Sequence, residues 1–488
     1  MEHKTVLKAV AADGITSFSG TVSGVAHAAR PLRTRRSLHA MEDDDPDLET
    51  YRDFIAIMQA RDQSCPLSWT GFSQQHGTVE SFKYCSHGNW YFLPWHRGYL
   101  LMYEMAARKL TCNDAFAMPY WDWTTDRSLP APFLAQTYKG KPNPLYIEGR
   151  NDLSGPNALA DEIVGPAVME TIYAQRPYEA FGSSKNPEQD NTDVTWVPAG
   201  GGVQGPLESG PHNNVHRAVG GVMRRGSSPL DPIFMGHHAN IDRIWTRWNA
   251  LGGANSSDPL WLSMFFTDHY IDPTGAFYGR RVCDMLDTRA LGYVYDDCTP
   301  PACPRESDRS RELSLLALLR REPTPGLPRA RSTSIGEAAG GNAIEGALAL
   351  SSGALGPLVE SRGSAPLQVH AVIAGITLSE DVAGFRVFVN HPALSTATDM
   401  QDPHFVSTVG FFGHIAAHPA NHGGAHGPGV PHKAPIAAHV DLTEALKRLA
   451  ALDRIHNDTL TIQLIPVGPN GGDVNGTVNA QSMEVLVL

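Results

Sequence analysis

The chain has 488 residues, of which 42% are hydrophobic and 18% charged, and its formal net charge is −12. That length predicts two to four domains with ample core, and the acidic balance argues against nucleic acid as a partner. No run reaches the roughly 18 apolar residues of a membrane span, so no membrane association is expected. Because Asp13 interrupts the apolar stretch near the start, we recognise no signal peptide and expect a cytoplasmic protein.

Composition divides the chain into three regions. Residues 1–297 are rich in Trp, Tyr and His and carry helical patterns such as DLETYRDFIAIMQARD. Residues 298–365 are rich in Pro, Gly, Ser and Arg, which predicts a linker with one short helix around RELSLLALLRR. Residues 366–488 contain β-branched runs broken by Gly, Pro, Asn and Asp, which predicts a small antiparallel β-sandwich or barrel. The six cysteines are too few for a disulfide scaffold, and those of CTPPAC are expected as thiols.

The 21 histidines of the chain are unevenly placed. The stretch PHNNVH sets His212 and His216 four residues apart, a spacing that stacks two imidazoles on one helix face, where they can clamp a metal ion. The stretch DPIFMGHHANIDRIW adds His237 and His238 in another helical pattern. One such pair of histidine residues is weak evidence for a metal site, because histidines beside aromatic residues are more often packed core side chains.

Three further histidines lie upstream, in QQHGTVESFKYCSHGNWYFLPWH, and they are His76, His87 and His96. Two groups of three histidines therefore occur, each with aromatic neighbours. Ligation by imidazoles without carboxylates suits copper, zinc or iron, and copper has the highest affinity for such donors. The joint occurrence of both groups predicts a metal protein.

Two carboxylates lie in the same stretches. Asp122 stands between two tryptophans in MPYWDW, where an unpaired charge would be costly. Asp242 follows His238 by one helical turn and can contact it there, or can pair with Arg217 or Arg243. Such carboxylates would fix the orientation of metal-binding histidines.

Four motifs together, SHGNWYFLPWHRGYL, MPYWDW, PHNNVHRAVGG and DPIFMGHHANIDRIW, resemble the tyrosinase and polyphenol oxidase family of coupled binuclear copper proteins. The resemblance covers about residues 30–297, with the motifs in the family order. It implies a mainly α catalytic domain, a four-helix bundle around two copper ions, and O2 as co-substrate. The implied ligands are His76, His87 and His96 for the first copper and His212, His216 and His238 for the second. By the same pattern, His237 is a neighbour and not a ligand.

The resemblance reaches other residues near the ligands. Cys85 stands two residues before His87, as in members that form a thioether between these two side chains; the alternative is a free buried cysteine. Tyr293 and Tyr295 match the tyrosine pair that closes the catalytic domain. This agrees with the boundary drawn from composition at residue 297.

A substrate pocket is also implied. Phe92 and Phe234 each precede a ligand by four residues and match the aromatics packed beside the copper histidines. In the loop GGVMRRGSSPL, Met223 and Gly226 are expected to line the pocket, and Arg217 to stand at its rim. The loop lacks an obvious bulky plug, which predicts open access for a small phenolic substrate.

The implied reaction is ortho-hydroxylation of monophenols and oxidation of o-diphenols to o-quinones. Monophenols have a pKa near 10, so a base must lie within hydrogen-bond reach. Glu208 and Asn213 match the pair that holds an activating water in members that use monophenols; the alternative is a loop carboxylate and a helix-surface amide. We therefore expect a tyrosinase, and the alternative is a catechol or o-aminophenol oxidase without monophenolase activity.

The two histidine groups also occur in the patterns of two other classes of protein. A haemocyanin-like oxygen carrier uses a similar copper pair, but this chain has one copper unit and no sign of tandem units. A structural zinc protein is disfavoured because zinc prefers closed Cys/His sites over two open histidine groups.

Long members of the family carry a β-rich C-terminal domain that covers the active-site mouth and keeps the enzyme latent. The layout here matches, with Phe411 and Phe412 as candidates for the plugging side chain. Cleavage within residues 299–365 is expected to raise activity once the domain leaves. The oligomeric state is left open, since such a domain can also cover a neighbouring copy in a homo-oligomer.

Residues 414–439 contain six histidines among Gly, Pro and Ala. One hypothesis is a loop that collects copper for the active site, since His-rich tracts bind metals. The favoured alternative is a solvated loop that joins two strands.

Overall fold

The computed structural model describes residues 10–11, 14–15, 32–79, 82–187, 201–297, 309–322, 329–337, 343–364, 366–379, 381–412, 436–469 and 471–488. The predicted CTPPAC thiols and the histidine-rich stretch up to residue 435 lie outside these residues. The chain divides into two units, residues 1–32 and 33–488. In the first, strands β1 (Val10–Ala11) and β2 (Gly14–Ile15) pair antiparallel. Both histidine groups belong to the second unit.

Residues 33–297 are mainly helical, as predicted. The helices are α1 (Pro46–Gln59), α2 (Trp69–His76), α3 (Phe92–Thr111), α4 (Asp161–Val164), α5 (Pro166–Ala174), α6 (Tyr178–Phe181), α7 (Asn213–Val219), α8 (Ile233–Ala250) and α9 (Pro259–Ser263). The strands are β3 (Arg33–Arg35), β4 (Thr137–Tyr138), β5 (Lys141–Pro142), β6 (Val203–Gln204), β7 (Phe265–Ile271), β8 (Phe277–Arg281) and β9 (Tyr293–Tyr295).

Helix α1 shows how local sequence sets these elements. Asp45 caps its N-terminus by accepting a hydrogen bond from the backbone N–H of Asp47, and Pro46 fits the first helical position. Its apolar residues recur every three or four positions, and the face they form is buried. These residues are Leu48, Tyr51, Phe54, Ile55 and Met58. The predicted amphipathic helix is confirmed.

Four helices carry or flank the histidines, namely α2, α3, α7 and α8. Helices α3 and α8 pack directly against each other. Three quarters of the residues of α3 are buried, because most of its length runs through the core. The four-helix bundle itself stays a prediction. Among the described helices, none has the length and mean hydropathy needed to cross a membrane.

The C-terminal region is a β-sandwich of two sheets around one apolar core. Its strands are β10 (Arg329–Ser332), β11 (Ile335–Glu337), β12 (Ile344–Ala349), β13 (Val369–Leu378), β14 (Gly384–Val389), β15 (Phe405–Gly410), β16 (Ile436–Asp441), β17 (Thr459–Val467), β18 (Val478–Asn479) and β19 (Ser482–Val487). Its helices are α10 (Arg309–Leu319), α11 (Gly356–Glu360) and α12 (Thr443–Ala451). One sheet has the order β10-β19-β13-β16-β6, with β18 beside β13, and the other β11-β12-β17-β14-β15.

The predicted linker was wrong in its extent. The short helix predicted around RELSLLALLRR is present as α10, but β10, β11, β12 and α11 also lie within residues 298–365. The β-rich region therefore begins near Arg329 and not at residue 366. These strands are short and rich in small residues, so their composition resembles a linker. Pairing with distant strands, such as β12 with β17, supplies the hydrogen bonds that define them.

The helical region and the sandwich share one sheet. Strand β6 of the helical region pairs in parallel with β16, with Val203 opposite Ala437. Helix α10 packs between the two regions in an apolar cluster. Arg320, just after α10, forms an ion pair with the buried Glu179 at 2.5 Å. The sandwich is therefore held on the helical region by backbone, apolar and ionic contacts, and we call this contact zone the seam.

The two predicted second-layer carboxylates pair with arginines. Asp242 binds Arg35 at 3.0 Å and Arg97 at 2.6 Å, and it accepts hydrogen bonds from the hydroxyls of Tyr293 and Tyr295. The prediction that Asp242 contacts His238, Arg217 or Arg243 was wrong. The partner Arg35 lies 207 residues away in the chain, so no local spacing could identify it.

The other carboxylate, Asp122, binds Arg243 at 2.9 Å and accepts hydrogen bonds from Thr124 and Thr125. These contacts stabilise the negative charge of Asp122, which the two flanking tryptophans do not neutralise. They also lower the pKa of Asp122 against the effect of its burial.

Candidate metal centre

Two clusters of potential ligands lie in the core, each with its donor atoms within 4.8 Å of one another. The first consists of His76, Cys85, His87 and His96, and the second of His212, His216, His237 and His238. All eight side chains are buried. The structure thus brings the six predicted copper ligands together in the two predicted groups of three, with Cys85 and His237 as additional members.

In the first cluster, backbone carbonyls orient the imidazoles. The Nδ1 atom of His76, the last residue of α2, lies 2.6 Å from the carbonyl oxygen of Gly226. The Nδ1 atom of His96 lies 2.7 Å from the carbonyl oxygen of Phe92, one turn earlier in α3. A carbonyl can only accept, so each Nδ1 carries the proton and each Nε2 presents a lone pair.

In the second cluster, hydrogen bonds at Nδ1 orient the imidazoles in the same way. The Nδ1 atom of His212 lies 2.8 Å from the amide oxygen of Asn213, and that of His216 lies 2.8 Å from the carbonyl oxygen of Met223. The Nε2 atom of His216 therefore carries a lone pair, and it lies 3.2 Å from the Nε2 atom of His238. Second-layer contacts of this kind are typical of metal-binding histidines.

A hydrogen bond from Trp123 fixes the tautomer of His237. The indole N–H of Trp123 donates to Nδ1 of His237 at 3.1 Å. Since Nδ1 accepts, a neutral His237 carries its proton on Nε2 and offers no lone pair there. This tautomer supports the prediction that His237 is a neighbour of the metal and not a ligand.

The donor atoms fit a metal ion. Burial lowers the pKa of His76 to about 3 and holds those of His96, His212 and His216 well below the ordinary value, so the imidazoles are neutral. The Nε2 atoms of His76 and His212 are buried and have no hydrogen-bond partner among the described residues. Orphaned lone pairs in an apolar interior are costly unless a cation receives them. Neutral imidazoles without a carboxylate suit copper.

The two clusters face each other. The rings of His96 and His238 stack with centroids 4.3 Å apart and planes inclined by 10°. His87 and His212 lie 5.4 Å apart across the same gap. The centre is therefore one site with two halves, in which ions held by the two groups would be close neighbours.

Cys85 lies against the first group of histidines. Its Sγ atom is 3.2 Å from Nδ1 and 3.6 Å from Nε2 of His87. Cε1 is the ring carbon between these nitrogens, so the sulfur lies near the part of the imidazole that carries this carbon. Sγ also lies 3.2 Å from Nε2 of His96. Burial raises the pKa of the Cys85 thiol, so the sulfur is protonated.

Glu208 is fully buried beside the centre, in a π-helical turn (Glu208–His212) that precedes α7. Its carboxylate accepts hydrogen bonds from the backbone N–H of Gly88, at 2.7 Å, and from the hydroxyl of Ser183. Burial raises the pKa of Glu208 to about 8, against the effect of these two donors. The group is thus poised to change its protonation state in mildly alkaline solution.

Asn213, the predicted partner of Glu208, is engaged elsewhere. Its amide oxygen orients His212, and its Nδ2 donates to the carbonyl oxygen of Gly410 at 2.8 Å and to Gln204 at 3.1 Å. The structure shows no hydrogen bond between Glu208 and Asn213. The alternative of a helix-surface amide was wrong, since Asn213 is buried.

The predicted pocket residues surround the centre in different ways. Phe92 lies 5.0 Å from the ring of His96, and Phe234 lies 4.2 Å from that of His238. Met223 and Gly226 contact His216 and His76, respectively, through their carbonyl oxygens. Arg217 does not stand at an open rim, since its side chain is buried in the seam.

Phe412, which follows β15 of the sandwich, projects into the centre. Its ring stacks on that of His216 with centroids 4.0 Å apart and lies 5.2 Å from that of His87. It therefore touches both groups of histidines. The other predicted candidate, Phe411, points away and packs 5.7 Å from Phe385 within the sandwich.

Several site residues escaped sequence reasoning. Trp123, Ser183 and Gly88 position His237 and Glu208 from distant parts of the chain. Trp123 and Gly88 lie in the motifs MPYWDW and SHGNWYFLPWHRGYL, but neither motif reveals these contacts, and Ser183 lies in no motif. Asn214 donates to the carbonyl oxygen of Thr408 at 3.1 Å, beside the contact of Asn213 with Gly410. The adjacent asparagines in PHNNVH are a signal of unusual polarity, but it does not reveal their partners.

Comparison with known proteins gives a consistent result. The common central domain of tyrosinase matches residues 66–251. A chloroplastic polyphenol oxidase from Vitis vinifera is 29% identical over 57% of this chain and 49% of its own length, so the chain spans about half of that relative. A tyrosinase from Hahella sp. (strain CCB-MM4) is 26% identical over 93% of this chain and 99% of its own. The solved structure of a latent aurone synthase (polyphenol oxidase) shares the fold, with a TM-score of 0.65, 19% identity, and coverage of 94% of this chain and 90% of that one.

Proposed function

Because the chain belongs to the tyrosinase and polyphenol oxidase family and has two copper ions as cofactors, we propose that it hydroxylates monophenols at the ortho position and oxidises o-diphenols to o-quinones with O2. The observation that carries the proposal is the pair of facing histidine groups with Nε2 lone pairs turned inward. Bound copper supplies the reduction of O2 and its transfer to an electron-rich ring. The substrate is a small phenol.

The protein's own part is to orient the ligands and to exclude water. Carbonyl oxygens fix the tautomers of His76, His96 and His216, so binding needs little reorganisation. Phe92 and Phe234 shield the site and offer apolar faces to a phenol ring. A dry, preorganised site strengthens every electrostatic contact within it.

For monophenols, Glu208 is the proposed base, acting through a water on the phenol proton. Only the ionised carboxylate can accept that proton. With a pKa of about 8, the ionised fraction of Glu208 grows as the pH rises through 8. The rate with monophenols relative to diphenols should therefore rise with pH over the same interval.

Oxygen uptake with tyramine and with catechol tests the proposal, on copper-loaded protein from which the sandwich has been cleaved and separated. Both substrates are expected to react. Glu208→Gln, which keeps the size of the side chain but replaces one acceptor oxygen by an NH2 group, should lower the rate with tyramine about 100-fold and that with catechol less than about threefold. Equal losses with both substrates would remove Glu208 from the role of base, and silence with both would favour an oxygen carrier.

The runner-up is a catechol or o-aminophenol oxidase without monophenolase activity. One observation favours it. The amide of Asn213 is committed to His212, Gln204 and Gly410, so it has no N–H directed at a water beside Glu208. Uptake with catechol alone, after complete separation of the sandwich, would support this second candidate.

We also propose a thioether between Sγ of Cys85 and Cε1 of His87. The C–S bond replaces the S–H and C–H bonds, and the two electrons and two protons released are taken up by O2 at the copper centre. The intact mass should therefore fall by about 2 Da after copper and O2 are supplied. Cys85→Ser should show no such change, and an unchanged mass in the natural chain would leave Cys85 a free buried thiol.

We further propose that the docked sandwich keeps the enzyme latent. Phe412 occupies the space in which a phenol would approach His216. The seam includes a shared sheet and the ion pair of Arg320 with Glu179, so cleavage between the regions does not by itself release the sandwich. Activation is expected when the sandwich dissociates after cleavage.

A further inference from the structure

The seam contains a concentration of positive charge that the proposed reaction does not use. Arg217, the first residue after His216 in α7, is 5% exposed, and its Nη1 atom has no hydrogen-bond partner among the described residues. The charged groups that act on it most strongly are two further arginines, Arg224 and Arg386. Arg386 belongs to β14, so the cluster joins the catalytic region to the sandwich.

Backbone and not carboxylate lies against the guanidinium of Arg217. An added Cβ at Gly384 would lie 3.0 Å from Nη1, and one at Gly471 would lie 3.9 Å from Nη2. The backbone of the sandwich thus packs against Arg217 at two glycines, closely at Gly384 and less closely at Gly471.

The rest of the cluster does not neutralise it. Arg224 donates through Nε to the carbonyl oxygen of Arg217 at 3.2 Å. Arg386 donates to the carbonyl oxygen of Gly471 at 3.0 Å and lies 3.6 Å from the half-exposed Asp473. Asp473 therefore pairs with Arg386, and Arg217 has no carboxylate partner in the described parts of the chain. A buried guanidinium without a counter-charge is costly.

We propose that Arg217 and Arg386, with Arg224 beside them, bind a small oxyanion such as inorganic phosphate, sulfate or a carboxylate at the seam. Guanidinium groups bind such anions through paired, charge-assisted hydrogen bonds. Because the two arginines come from the two regions, the bound anion links them. A ligand that binds only the docked arrangement stabilises it by mass action.

The occupant is a free anion and not the carboxylate of a substrate. In the docked arrangement Phe412 fills the approach to His216, while the arginine cluster lies against β14 and the turn at Gly471. An anion that must bridge both regions is present only while the sandwich covers the centre. Anion binding should slow the release of the sandwich and therefore slow activation. This regulatory effect rests on the proposed latent oxidase, whereas the binding itself does not.

Calorimetric titration of inorganic phosphate into the copper-free full chain tests the binding, at constant ionic strength set with chloride. One phosphate per chain is expected. Arg386→Gln should weaken the affinity about tenfold or more, and Asp473→Asn, which removes the competing carboxylate, should strengthen it. Because the copper-free protein is used, failure here would leave the proposed oxidase activity untouched.

Three results would overturn the site. These are the absence of saturable binding, equal affinity in Arg386→Gln, and no gain in Asp473→Asn; the last variant keeps the test decisive if Arg386→Gln does not fold. A comparison of acetate with 4-hydroxyphenylacetate addresses the source of the anion. Equal affinities are expected, and clearly tighter binding of the phenol would assign the cluster to substrate.

Discussion

Replacement of His238 by alanine is expected to lower the copper content from two ions per chain to one. Oxygen uptake with catechol should fall about a thousandfold, because the reaction needs both ions. The Nε2 atoms of His238 and His216 lie 3.2 Å apart, so both can bind the same ion. Without His238, only two imidazoles would remain to hold the second ion. Copper is measured by atomic absorption after gel filtration, and circular dichroism checks the fold.

The adjacent histidine provides the matched control. His237→Asn places an amide oxygen near the position of Nδ1, where it can still accept the N–H of Trp123. This variant should keep two copper ions and most of its activity, since a neutral His237 presents a protonated Nε2. Loss of an ion from His237→Asn together with full copper in His238→Ala would reverse the assignment of the two residues.

Replacement of Phe412 by alanine is expected to raise oxygen uptake of the full, uncleaved chain with catechol about tenfold. The ring stacks on His216 at 4.0 Å and lies 5.2 Å from His87 and 5.8 Å from His212, so it occupies the gap between the two groups. Its removal opens that gap while the sandwich stays docked. The rise should be smaller than that obtained by complete removal of the sandwich, since β15 still covers the site.

Phe411→Ala is the control for this variant. Phe411 packs 5.7 Å from Phe385 in the sandwich, so its truncation removes core contacts and leaves the plug in place. We expect lower stability in urea and little change in oxygen uptake at low denaturant. A rise in activity as large as that of Phe412→Ala would mean that a loosened sandwich, and not the plugging ring, controls access.

The sequence by itself predicted the helices of the centre and the residue types that would bind a metal there. Helical periodicity predicted α1, and the spacing of His212 and His216 on consecutive turns, with HH in the next motif, predicted the second group of ligands. These signals are local, because a helix repeats every few residues and a metal constrains the residue types that bind it. The motifs around the histidines also carried the resemblance to the tyrosinase and polyphenol oxidase family.

Tertiary structure alone decided the partners across the chain. Asn213 meets Gly410, 197 residues later, and Asp242 meets Arg35, 207 residues earlier. Such contacts leave no periodic trace in the sequence, because each side chain is compatible with several partners until the core is packed. The same holds for the choice of Phe412 over Phe411. Two adjacent phenylalanines are chemically equivalent, and only the direction in which the chain leaves β15 turns one toward the two histidine groups and the other into the sandwich.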